Sequence, residues 1–389
     1  MNRNLWLLAI CQGLFLTNNV TFIAINGLVG FSLAPLGWMA TLPVMGYVVG
    51  GAFSTGLVAK TQARFGRKTS FQIGLAVALA SALLCAFAAA SHNFWLLCAA
   101  TLVAGYYNAN GNLYRFAAAE LAGSAFREKA VSLVMAGGLI GAVAGPNLAA
   151  QTRTLTAVPF MGAYLALAGV ALLSMAVLAL ITFPPLLAKQ AAGVGRPLAE
   201  IMRQPTFIVA AVTGALGFGV MNLLMAATPL AMQQCNLAFS DAALVLEWHV
   251  IGMFAPGFFT GHLIKRFGVL PIMGIGVMLN LACIAVALSG VDLHQFLLAL
   301  FLLGVGWNFL FTGSTTLSLQ TYTAAEKDRA QGALNFFVFA TTAVSSFASG
   351  VLVTTQGWQL LNLGSLLPVV ATGAAILWLA KQPIRKGMI

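Results

Sequence analysis

KTQARFGRK at residues 60–68 and GHLIKRFG at residues 261–268 carry the same Arg-Phe-Gly core about 200 residues apart. Each sits between two apolar stretches of roughly 20 residues, the length that crosses a bilayer as a helix. Two further pairs keep nearly the same register. Ser91-His92-Asn93 answers Leu293-His294-Gln295, and Arg127-Glu128-Lys129-Ala130 answers Lys327-Asp328-Arg329-Ala330. A membrane unit has therefore been written twice in parallel, and the sites of such carriers lie between their two halves.

Working outward from these loops, apolar segments fall at 5–30, 37–59, 69–90, 94–119, 130–152, 157–184, 205–231, 242–264, 269–289, 296–320, 331–354 and 359–380. The expected fold is an all-α membrane protein of twelve transmembrane helices in two pseudo-symmetric six-helix bundles. The first bundle covers 1–185, a polar cytoplasmic linker covers 186–204, and the second bundle covers 205–389. The amino terminus reads as an uncleaved first helix, because its apolar run continues to about Gly30 without a small-residue cleavage site.

The chain is 60% hydrophobic and 7% charged over 389 residues, more apolar surface than a soluble domain could hide. Its net charge of +11 would suggest nucleic acid in a soluble protein. Here all 19 basic residues except Arg115 and Arg153 fall on one side once both termini are placed in the cytoplasm. That is the positive-inside pattern of a multi-pass protein of the cell (inner) membrane, so nucleic acid is excluded as a partner. The five cysteines form neither a disulfide framework nor a metal spacing. No metal or cofactor is expected.

Together the twelve spans, the repeat and the basic loop between spans 2 and 3 resemble the major facilitator superfamily along the whole chain. The family's loop pattern G-x-x-x-D-R-x-G-R-K, laid on Ala59 to Lys68, is matched by Arg64, Gly66, Arg67 and Lys68. In the second half Gly261, Arg266 and Gly268 match. Ala63 and Lys265 stand where the family has an acid. The resemblance implies a cytoplasmic gate at Arg64, Arg67, Lys68, Glu120 and Arg266, with Glu120 free to pair with Arg64, Arg67 or Arg127. Gly141-x-x-x-Gly145-Pro146 partly matches the family's antiporter pattern; tight helix packing explains the same residues.

The resemblance also implies a central cavity lined by spans 1, 4, 7 and 10, and the distribution of amides agrees with this independently. Span 1 places Gln12, Asn19 and Asn26 on one stripe. Span 4 contains GYYNANGNLYRFAAAE at 105–120, where Thr101, Asn108, Asn112 and Arg115 share a face. Span 7 has Asn222 and Thr228, with Pro229 expected to break the helix. Span 10 has Trp307, Asn308 and Thr312. Buried amides cost free energy unless paired or hydrated, so each is either a substrate ligand or an interhelical bond. Arg115 either faces the cavity, where it suits an anionic group, or snorkels to the cytoplasmic surface. Glu247 and His249 in span 8 are candidates for proton coupling, each with its own partner because residues two apart on a helix diverge.

The expected function is secondary active transport of a small polar or anionic organic solute by alternating access. The transporter is expected to be proton-coupled and monomeric, with export preferred to import. The alternatives are a proton-coupled importer of the same solutes and a non-transporting membrane sensor or receptor. An enzyme is not expected, since no nucleophile triad, metal cluster or phosphate loop appears.

Overall fold

The computed structural model describes residues 3–122, 130, 133–134, 136–183, 195–323 and 326–382, with the side chains of Ala59, Ala63, Arg115, Phe116, Ala119, Lys327 and Asp328 outside it. Among the described residues the regular elements are all helices. The first half contains α1 (Arg3–Leu33), α2 (Leu42–Ala90), α3 (Phe94–Gly111), α4 (Tyr114–Leu121), α5 (Gly138–Thr152) and α6 (Met161–Ala179). The second half begins with the short α7 (Leu198–Met202) and continues with α8 (Pro205–Gln234), α9 (Phe239–Phe254), α10 (Gly257–Phe267) and α11 (Val269–Ser289). It ends with α12 (Leu293–Leu319), α13 (Lys327–Thr355) and α14 (Gly357–Ala380).

Nine helices among the described residues are long and apolar enough to cross a membrane, or ten when α9 and α10, bent by 40°, count as one span. The sequence led us to expect twelve. The expected fourth span is divided between α3 and α4 at the Asn112-Leu113 turn, where Leu113 N donates back to the Asn110 carbonyl at 2.9 Å. Part of the expected fifth, 130–152, lies outside the described residues. Large apolar side chains such as Phe53 (79% exposed) and Leu367 (78%) stand on the outer surface, which only lipid would cover favourably.

The repeat seen in the loops is present in the backbone. Gly66 interrupts α2 at φ 80°, ψ 170°, and Gly268 separates α10 from α11 at φ 90°, ψ 160°. A side chain is strained in that region, so each Arg-Phe-Gly core uses its glycine to turn the chain between two spans. The neighbouring residues agree as well. Arg64 lies over the Phe65 ring and Arg266 over the Phe267 ring, both at 5.1 Å.

Within the first half, α1 and α5 pack closely enough that a Cβ on Gly141 would lie 2.5 Å from the Leu16 Cβ and one on Gly145 2.9 Å from the Val20 Cβ. Close packing therefore accounts for the Gly-x-x-x-Gly pattern of α5. In the second half the expected break at Pro229 does not occur. Helix α8 runs through it, and the preceding Thr228 hydroxyl bonds the Leu224 carbonyl at 2.7 Å. The missing Pro229 N–H withdraws the helical donor of the Met225 carbonyl, a loss that the long helix tolerates.

The halves meet mainly at the end of the bundle opposite to where α1 begins and α14 finishes. There Thr41 Oγ1 donates to the Ser346 carbonyl at 2.7 Å, and Asn147 Nδ2 donates to Glu247 Oε2 at 2.9 Å. Trp38 packs edge-on against Phe347, and Phe239 receives both Phe160 and the Arg153 guanidinium. No hydrogen bond joins the halves at the other end among the described residues. There Arg67, Lys68 and Glu120 bond within the first half, to Glu120, the Ala179 carbonyl and Arg67 respectively.

Candidate functional site

A cavity of about 250 Å³ opens between the halves. It is lined from the first half by Gln12, Phe15 and Asn19 on α1, Tyr47 and Thr55 on α2, and Asn108 and Asn112. The second half contributes Phe218, Met221 and Asn222 on α8, Phe254 on α9, Trp307 and Phe311 on α12, and Asn335 and Phe339 on α13. Spans 1, 4, 7 and 10 thus supply wall residues, and α2, α9 and α13 supply others that the sequence did not single out.

The wall divides by chemistry. On the second half Trp307 stacks on Phe311 (4.9 Å between centroids, 11° between planes), while Phe218 and Phe254 meet Trp307 edge-on at 5.5 and 6.1 Å. Spacing alone explains the pair, since residues four apart on a helix lie one above the other. On the first half the rings are occupied with their own bundle: Phe15 packs on Tyr107 and Tyr114, and Tyr47 on Phe22. To the Phe15 and Tyr47 rings and the aliphatic side chains of Leu16, Val20 and Ile23 this half adds the amides of Gln12, Asn19, Asn108 and Asn112.

The amides differ in how far they are committed. Asn112 Nδ2 bonds both the carbonyl (2.9 Å) and the side-chain oxygen (3.1 Å) of Asn108, so this pair is partly self-satisfied. Asn222 spends its Nδ2 on Ser346 Oγ (2.7 Å), Ser345 Oγ (3.0 Å) and the Thr342 carbonyl (3.3 Å), tying α8 to α13. Gln12, Asn19 and Asn335 line the cavity and form no side-chain hydrogen bond among the described residues. Gln12 is buried and Asn19 and Asn335 are half-buried, so these three amides face the cavity with their bonding capacity open to a ligand.

Three of the expected ligand residues are not among the cavity-lining residues. Asn26 donates to the Phe22 carbonyl at 2.8 Å and accepts from Tyr164 Oη at 2.8 Å, which makes it a tie between α1 and α6. Asn308 donates to the Met253 carbonyl and accepts from Thr260 Oγ1, both at 2.7 Å, binding α12 to α9 and α10. Thr312 follows Asn308 by one turn of α12, whereas the cavity takes the neighbouring stripe of Trp307 and Phe311. Arg115 belongs to α4 by its backbone, but its side chain lies outside the described residues. Asn335 was missed because one amide in an otherwise ordinary span has no periodic companions.

Glu247 and His249 point to different neighbours, as their spacing requires. Glu247 accepts from Asn147 across the junction of the halves. His249 is fully buried, with Nδ1 donating to the Leu300 carbonyl at 2.7 Å and Nε2 without a partner among the described residues. Neither lines the cavity. At the other end, Arg67 grips Glu120 through Nε (3.0 Å) and Nη2 and reaches Gln62 Oε1 at 2.6 Å. With Glu120 46% exposed, such a pair contributes only about 0–1 kcal/mol. Its geometric effect is to hold the turn at Gly66 against the end of α4.

Two bundles around a shared amide-and-aromatic cavity, closed at one end, form the frame of an alternating-access carrier. The sequence profile of the Major Facilitator Superfamily matches residues 5–247 and 209–387. The chain belongs to the major facilitator superfamily. It is a membrane transporter of that superfamily and not an enzyme. The riboflavin transporter RfnT of Brucella anthropi is 37% identical over 384 residues, covering 98% of this chain and 96% of that protein. The uncharacterized transporter YdeG of Bacillus subtilis is 27% identical over 366 residues, covering 90% and 85%. Among solved structures, the nucleoside transporter NupG superposes with a TM-score of 0.75 at 14% identity, covering 97% of this chain and 100% of that one. The human organic anion transporter MFSD10 superposes at 0.71 and 13%, covering 96% and 99%. At such identities these two structures speak for the superfamily fold alone.

Proposed function

We propose that this transporter carries riboflavin, or a closely related neutral flavin, across the cell membrane by alternating access. The observation behind this reading is the cavity wall, which combines aromatic rings, concentrated on the second half, with amides from both halves and no charged side chain among the described residues. Such a wall suits a flat uncharged heterocycle with a hydrogen-bonding edge and a hydroxylated tail better than an anion, whose burial would need a paired cation. The extended likeness to a riboflavin transporter supports the same class. The sequence-level expectation of an anionic solute rested on Arg115, and the described wall gives it no support.

The direction we favour is uptake coupled to protons, in place of the export expected from the sequence. Antiport through one site requires proton and solute to compete there, and no carboxylate lines the cavity among the described residues. Glu247 stands apart from it, at the junction of the halves, where a proton and a solute could travel together. Basic residues concentrated on one face favour cytoplasmic termini.

Proteoliposomes provide the test. Riboflavin should enter them faster than protein-free vesicles, and an acidic exterior should accelerate entry. Glu247→Gln should abolish that acceleration and leave riboflavin exchange intact. Entry no faster than in empty vesicles would reject the substrate; acceleration that survives in Glu247→Gln would reject the coupling site.

A further inference from the structure

Resting on the flavin reading, the wall assigns an orientation and a recognition residue. We infer that the isoalloxazine ring lies against the second half, with Asn335 reading its imide edge, while the ribityl tail runs along Gln12 and Asn19 of the first half.

The argument begins with which groups are free. On the second half the aromatic surface is continuous, with Trp307 stacked on Phe311 and flanked by Phe218 and Phe254. A planar tricyclic ring gains most by lying against such a surface. Two amides accompany it on that half. Asn222 has both its N–H groups engaged by α13, so it cannot pair with an imide. Asn335 has no side-chain partner among the described residues and lines the same cavity. A primary amide has a donor and an acceptor side by side. That matches an imide, which presents N–H next to C=O: Nδ2–H donates to the ring carbonyl and Oδ1 accepts from the ring N–H.

The tail follows by exclusion. Polyol hydroxyls need adaptable donors and acceptors, and on the first half Gln12 and Asn19 are the unpartnered amides. A ligand held this way touches both bundles at once. Each bundle then contributes recognition that the other lacks, and a ring without a tail, or a tail without a ring, engages one half only.

The test compares three probes, riboflavin, N3-methylriboflavin and lumichrome, a tail-free alloxazine that keeps the same imide edge, by quenching of their fluorescence on the full-length protein in detergent. Wild type should bind N3-methylriboflavin at least tenfold more weakly than riboflavin, because the methyl group removes the imide donor. Asn335→Leu should weaken riboflavin by a similar factor and leave N3-methylriboflavin almost unchanged. Gln12→Leu and Asn19→Leu should weaken riboflavin and spare lumichrome. Asn335→Gln, which retains the amide, should recover part of the affinity. Should Asn335→Leu fail to fold, the two flavins on wild type still decide: equal affinity overturns the imide contact. Equal weakening of both flavins by Asn335→Leu, or of riboflavin and lumichrome by Gln12→Leu, overturns the orientation while leaving the substrate standing. Wild type that binds no flavin overturns the substrate and this orientation together.

Discussion

Asn147 on α5 donates its side-chain N–H to the Glu247 carboxylate on α9, 2.9 Å away, one of two hydrogen bonds that join the halves among the described residues. A carboxylate within the span of a bilayer is costly unless paired or protonated, and this amide is its one hydrogen-bond partner among the described residues. Asn147→Leu removes the donor of this exposed bond, at a cost of about 0.5–1.5 kcal/mol. Thermal unfolding should show that loss. Adding Glu247→Gln to the same protein should recover part of it, since the two residues act as a pair. Strictly additive effects would show that the bond carries no coupling.

Trp307 is the centre of the aromatic wall, with one ring stacked and two edge-on against it. Aromatic pairs contribute about 0.5–1.5 kcal/mol beyond area burial, so losing a ring from the wall should weaken riboflavin roughly 3- to 10-fold. Trp307→Leu is expected to do so in fluorescence titration, and Trp307→Phe to do less. Equal affinities in all three proteins would show that the ring does not touch the ligand.

Gly66 and Gly268 hold almost the same backbone conformation at the turns of the two repeats. Alanine at either position forces a side chain into a region that costs about 1–3 kcal/mol. The two variants should therefore lower the unfolding temperature by similar amounts. Marked inequality would mean that the turns, alike in shape, differ in the load they carry.

Arg196 binds both oxygens of Glu326, through Nε at 2.8 Å and Nη2 at 2.9 Å, while its backbone N–H and that of Thr323 donate to the same carboxylate at 2.9 Å each. The Arg196 side chain first, then the Thr323 N–H, hold the carboxyl well below the usual range for a glutamate. A depressed pKa gives stability that is present at neutral pH and lost as pH falls below about 4 toward the folded-state value. Wild type should therefore melt above Glu326→Gln at pH 7, and the gap should narrow on acidification. A gap independent of pH would show that the charge contributes nothing there.

The two-fold architecture could be read because it depends on long-range regularities: apolar length, basic loops, and Arg-Phe-Gly written twice. The wall was less legible. Asn19, Asn108, Asn112, Asn222 and Trp307 were expected there and line it. Asn26 and Asn308 carry the same chemistry, yet tie helices together. Periodicity places an amide on a face of a helix, and which neighbour that face meets depends on packing that one helix does not encode. Asn335 shows the converse, a lone amide that matters because its neighbours leave it free. The division of the eighth span before Gly257 follows from Pro256, which lacks an N–H to continue the ladder.

The narrow rim where the bundles touch has a practical corollary. Few bonds cross it, each contributing about 0.5–1.5 kcal/mol, whereas every bundle is held by the burial of whole helix faces. Parting the rim is thus far easier than unfolding either body. A nanobody bridging the turn around Trp38 and the start of α9 would lock the carrier shut without ever entering the chamber.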